Sequence, residues 1–116
     1  MPTVLVIDDE KEWLDLYAES LVDAGYLVSA CSDGREAVKR IREDNPDAAI
    51  LDIRMCPSGR DVLRLIKNHF PELPVVISSA YGGYCDDPDF SKADAFIEKS
   101  TNLRELLSAL GKLIVA

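Results

Sequence analysis

Short apolar runs of strand length alternate along this chain with longer segments whose apolar residues recur at helical spacing. The strand runs are Val4 to Ile7, Leu27 to Cys31, Ala48 to Leu51, Val75 to Ser78 and Ala95 to Ile97. Most are continuously apolar, the pattern of strands covered on both faces. Leu14, Tyr17, Ala18 and Leu21 stand at i, i+3, i+4 and i+7, and Gly25 stands where a left-handed helix stop is expected. A second stripe, Ala37 and Ile41, follows Asp33 and Glu36 at capping-box spacing and ends at Asn45-Pro46. A third holds Val62, Leu63, Ile66 and Phe70 after Gly59. The last holds Leu103, Leu106, Leu107, Leu110 and Ile114 behind the capping candidates Ser100, Thr101 and Asn102.

Alternating strands and helices fold as βα units, because parallel strands must be joined by crossovers that lay helices on the sheet. The pattern predicts an α/β fold with a doubly wound, five-stranded parallel sheet. Tyr81 to Asp94 should carry a fourth helix, but Gly82, Gly83, Asp86, Asp87, Pro88 and Asp89 oppose one. A short or irregular helix is expected there.

With 116 residues the chain suits one core, so a single domain over 1–116 is expected. No apolar stretch reaches the length of a membrane span, and the start shows no export leader, so a cytoplasmic location is expected. A net charge of −8 opposes direct binding to nucleic acid or an anionic membrane, both of which need basic patches. It suits a divalent cation. Cys31, Cys56 and Cys85 form no CxxC pair, and their odd number argues for packing residues in a reducing compartment. Trp13 and His69 are assigned to helix surfaces or rims.

Open parallel sheets bind ligands at the carboxyl ends of their strands. Here those ends carry Asp8-Asp9-Glu10, Asp52, Ser78-Ser79 and Glu98-Lys99. A lone strand-end carboxylate is more often a cap or a solvated turn. Several together repel one another, and a site that keeps them supplies a cation. Oxygen ligands with room for water suit Mg²⁺, which commonly bridges carboxylates to a phosphoryl group.

These residues resemble the receiver domains of bacterial two-component response regulators, and the resemblance covers the whole chain. Asp8-Asp9 is similar to that family's metal-binding pair, and Asp52 within Ile50-Leu51-Asp52-Ile53-Arg54-Met55 to its phosphoacceptor. Ser79-Ala80 matches its hydroxyl residue and small neighbour, Lys99 its lysine, and Phe96 its switching aromatic. The resemblance implies a flavodoxin-like sheet of order 2-1-3-4-5. It implies Mg²⁺ held by Asp9 and Asp52, a backbone carbonyl at Arg54, and Asp8 through water. It implies phosphoryl transfer to Asp52 from a histidine kinase or phosphotransfer protein, with Lys99 on the phosphoryl oxygens and output through Ser79 and Phe96. Such a domain catalyses only its own phosphorylation and dephosphorylation. Phe96 reads equally as core packing. Arg54 and Tyr81 occupy the two places that flank the hydrolytic water, and their bulk implies a long-lived phosphoryl group.

The chain departs from the family pattern in two places. Met55-Cys56-Pro57-Ser58-Gly59 makes the loop after Asp52 one residue shorter, and Ser100 stands where a proline usually follows the lysine. A trans Lys99-Ser100 peptide is expected, since a cis bond without proline costs about 2.5–4 kcal/mol. Two other functions compete. A small Mg²⁺-dependent phosphohydrolase would want an Asp-x-Asp motif and a cap domain, whereas the aspartates here are adjacent. A degenerate receiver serving only as an interaction module would not need Asp8, Asp9, Asp52, Ser79 and Lys99 together.

Overall fold

In the computed structural model the described residues are 2–52, 59–79, 93–98 and 103–114, with Gly59, Arg60 and Ser79 described as backbone only. The apolar runs form β1 (Thr3–Ile7), β2 (Leu27–Cys31), β3 (Ala48–Asp52), β4 (Val75–Ser79) and β5 (Ala95–Glu98). All neighbours are parallel, in the order β2-β1-β3-β4-β5. The order reverses between β1 and β3, so their carboxyl ends flank the crevice where such sheets bind ligands.

The described helices are α1 (Lys11–Asp23), α2 (Ala37–Asp44), α3 (Gly59–His69) and α4 (Arg104–Leu113). Strand alternation sorts the core into two layers. Val4, Val6, Ile50 and Val76 pack with Tyr17 and Leu21 of α1 and with Leu106 and Leu110 of α4. Leu5, Ile7, Leu51 and Ile77 pack with Ala37 and Ile41 of α2 and with Val62, Leu63 and Ile66 of α3. Each large side chain so buried contributes about 1.5–3 kcal/mol relative to exposure. The layers tie the helices to the sheet and hold the strand ends in fixed register.

Gly25 closes α1 with φ 97°, and the Tyr26 amide bonds the Leu21 carbonyl at 3.0 Å. That left-handed turn satisfies a carbonyl of the last helical turn and starts the chain toward β2. Asn45 does the same for α2 at φ 47°, its amide reaching Ile41 O at 2.9 Å.

Three expectations need correction or narrowing. The Asp33–Glu36 capping box is absent: Asp33 caps a 3₁₀ turn (Gly34–Glu36), its carboxylate accepting the Arg35 amide at 2.9 Å, and α2 begins only at Ala37. The Arg35 guanidinium on the same carboxylate, 2.8 Å away, favours this tighter turn. β2 is also less covered than its apolar sequence implied, because it is an edge strand with a neighbouring strand on one side only, and Leu27 is exposed. The segment expected to hold a short or irregular fourth helix, 81–94, lies mostly outside the described residues, as do the capping candidates Ser100, Thr101 and Asn102. Among the described residues no helix is long and apolar enough to cross a membrane.

Candidate functional site

β1 hands the chain to α1 through Asp8, Asp9 and Glu10. The Asp8 amide continues the sheet pairing to Cys31 O at 3.1 Å, and one Asp8 carboxylate oxygen accepts the Glu10 amide at 2.9 Å. Glu10 O in turn accepts the amides of Trp13 and Leu14, each at 3.1 Å, which starts the helix. A carboxylate that accepts the backbone amide two residues on is a local cap that ties the turn to the strand. Asp8 is thereby fixed at the mouth of the crevice.

Asp52 is the last residue of β3 and the register partner of Ser78 on β4. Alternation places Asp8, Asp52 and Ser78 on the face that carries Val6, Ile50 and Val76, beneath α1 and α4. Asp8 is 1% exposed and Asp52 3%, whereas Asp9 and Glu10 face solvent. One carboxylate oxygen from each of Asp8, Asp9, Glu10 and Asp52 lies within 4.8 Å of the others. Two ionised carboxylates at that distance repel by about 3 kcal/mol at the effective dielectric of a protein site. A cation among them reverses the sign of that term. The donors are all carboxylate oxygens, two held rigidly by burial and two adjustable, a set that fits a hard divalent ion retaining water.

The structure brings together Asp8, Asp9 and Asp52, all named from the sequence, and adds Glu10. Glu10 was visible in the acidic run after the first strand; what the sequence lacks is the turn that brings its carboxylate back toward Asp52. Ser79 ends β4 opposite Glu98 in register. Phe96 pairs with Ile77 and is half-buried against the α2/α3 layer, the opposite face from Asp52. Lys99, Ser100, Arg54 and Tyr81 lie outside the described residues, with Cys56 and Cys85. Cys31 is a buried free thiol that donates to Asp33 O at 2.9 Å, and burial pushes its pKa up. Trp13 is half-buried at the rim of the α1/α4 layer, and His69 is exposed beside Arg42.

A doubly wound α/β domain with an acidic cluster at its topological switch point is thus the class that fold and site define. The model of the response regulator receiver domain matches residues 4–111, and the chain belongs to that family. It is 32% identical over 114 residues to response regulator MprA of Mycolicibacterium vanbaalenii, covering 96% of this chain and 49% of that protein. The chain therefore spans about half the length of that relative. Among solved structures, response regulator protein TrrA from Thermotoga maritima, in complex with Mg(2+)-BeF, is 34% identical with a TM-score of 0.92, covering 97% of this chain and 99% of that one. TrrA in complex with histidine kinase ThkA also matches at 34% identity and a TM-score of 0.92, over 99% of this chain and 100% of that one.

Proposed function

We propose that this receiver domain is a phosphoacceptor switch in which Asp52 is the nucleophile, and that a divalent cation, Mg²⁺ by the chemistry of its donors, is held by Asp9, Asp52 and Asp8. The observation that carries the reading is the buried Asp52 carboxylate grouped with Asp8, Asp9 and Glu10 within 4.8 Å. A carboxylate held at a strand end attacks phosphorus, the bond from phosphorus to the donor's histidine nitrogen breaks, and an acyl phosphate forms on Asp52. Burial fixes the direction of attack, and Asp8 holds the loop that carries its acidic neighbours. When bound, the cation offsets the charge of carboxylates and phosphoryl oxygens.

Lys99 supplies a compact positive charge to the same oxygens. Ser79 bonds the new phosphoryl group, and Phe96 carries the change outward. Arg54 contributes a backbone carbonyl to the cation, and with Tyr81 it screens the acyl phosphate from water. The donor is a histidine kinase or phosphotransfer protein, a reading supported by the likeness to the ThkA-bound TrrA. The test is incubation with acetyl phosphate and Mg²⁺ followed by intact-mass analysis. A single phosphoryl adduct on the wild type and none on Asp52→Asn is expected; equal labelling of the variant overturns the assignment.

A further inference from the structure

Tyr17, 1% exposed in the α1/α4 layer, places its hydroxyl 2.8 Å from the Ser78 hydroxyl, which is also 1% exposed. Either group can be the donor. Burying two hydroxyls among valines and leucines is unfavourable unless they bond each other or another partner. Phenylalanine and alanine would fill similar space without that requirement. The bond therefore has a consequence beyond filling the layer.

That consequence follows from where the two residues sit. α1 packs on β1 and β2, whereas Ser78 is on β4, with β3 lying between β1 and β4. The Tyr17 side chain thus reaches across the strand that carries Asp52 to grip the next one. Ser78 is the register partner of Asp52 and directly precedes Ser79. Ser78 and Ser79 are consecutive residues of one paired strand, so holding Ser78 in place limits the displacement open to the Ser79 backbone.

We infer that Tyr17 is a positioning residue: its hydrogen bond to Ser78 draws the end of β4 against Asp52 and so pre-organises that strand end for the phosphoryl group. The inference rests on the phosphoacceptor reading above. Ordering the strand end in advance lowers the entropic cost of binding a phosphoryl group, and the gain is lost with either hydroxyl. Neither hydroxyl belongs to the carboxylate cluster, so cation affinity does not depend on the pair.

Trp13 provides the probe. It is the chain's one tryptophan, and its ring centroid lies 5.7 Å from that of Tyr17. The experiment titrates beryllofluoride at saturating Mg²⁺, and separately Mg²⁺ alone, followed by Trp13 fluorescence and by fluorine NMR of bound beryllofluoride. The proteins are the wild type, Tyr17→Phe, Ser78→Ala, the double variant and Ser78→Thr. Each single variant that removes a hydroxyl is expected to weaken beryllofluoride binding about threefold to tenfold, the factor corresponding to one net hydrogen bond. The double variant should be no weaker than either single one, as two halves of one interaction require. Ser78→Thr should bind as the wild type does, and Mg²⁺ affinity should hold throughout. Unchanged beryllofluoride affinity in both single variants, multiplying effects in the double variant, or a parallel fall in Mg²⁺ affinity overturns the positioning role. A wild type that binds no beryllofluoride overturns the phosphoacceptor reading itself, and this inference with it.

Discussion

Carboxylate oxygens of Asp8 and Asp52 approach within 4.8 Å of each other although both residues are almost fully buried. Ionised carboxylates that water screens apart in the unfolded chain are brought together here, and their mutual repulsion is an unfavourable term that a bound cation offsets. Asp8→Asn keeps an oxygen for the Glu10 amide while removing the charge. In chelator-treated protein, Asp8→Asn and Asp52→Asn are each expected to raise stability by roughly 1–3 kcal/mol, the scale of the repulsion relieved. Urea melts check this, and a loss of stability in both variants counts against charge crowding. Added Mg²⁺ should raise the wild-type midpoint and raise either variant's less.

Asp9 differs from Asp8 in being exposed, so its removal leaves the fold intact and acts on the ion alone. Mg²⁺ should bind weakly, since few protein ligands leave several positions to water. Asp9→Ala is expected to abolish binding, and Glu10→Gln to weaken it by a smaller factor. Calorimetric titration decides between them: unchanged affinity in Asp9→Ala removes it from the ligand set, and a larger loss in Glu10→Gln makes Glu10 the dominant exposed ligand.

The sheet and its two layers were legible because apolar periodicity is strong in the runs that build them; Leu21, Ile50 and Leu106 are buried as their spacing requires. The site was legible as a set of strand-end carboxylates, since parallel topology alone brings such ends together. Two features were not. Glu10 joins the cluster through a turn that Asp8 bonds in place, a local geometry with no periodic signal. Ser78 reads as a small strand residue, and nothing in the sequence pairs it with Tyr17, 61 positions away. Side-chain pairs of that separation depend on register and layer, which a sequence pattern specifies only after the topology is known.

At the opposite edge of the sheet, Lys67 is held more firmly than a surface lysine. Its ammonium donates to Asp94 at 2.8 Å and to Leu73 O at 2.7 Å, with the side chain 11% exposed. The same Asp94 oxygen accepts the Val75 amide at 2.8 Å, joining α3, β4 and the approach to β5. Exposed ion pairs contribute about 0–1 kcal/mol, but removing one partner of a shielded network leaves the other uncompensated. Asp94→Ala is therefore expected to cost about 2 kcal/mol, because it strands the shielded Lys67 ammonium, and Lys67→Met less, because the Asp94 carboxylate it leaves is 35% exposed and keeps the Val75 amide as a donor. Denaturant melts of the two variants check the order. Equal or reversed costs mean that the pair is solvated and contributes little.

On the outer edge, Ser29 of β2 donates a hydrogen bond to Asp44 of α2, and the Arg40 guanidinium bonds both, at 2.7 Å to Ser29 and 3.3 Å to Asp44. The Ser29 hydroxyl is the main cause that holds the Asp44 carboxyl below the usual carboxylate range, with Arg40 adding to it. The sign follows from linkage. A carboxyl whose pKa is lower in the folded state stabilises the fold above its unfolded value, near 3.9, and loses that contribution as the pH falls through the folded value. Ser29→Ala removes the larger cause and leaves the smaller. In that variant the Asp44 carboxyl, followed by carbon-detected NMR, should titrate at higher pH than in the wild type yet still below the ordinary range. The stability difference between the two proteins should be present at pH 6 and shrink as the pH falls below 4. A difference that is the same at both pH values assigns the effect to β2 packing, and an unmoved Asp44 titration assigns the lowered pKa to Arg40 instead.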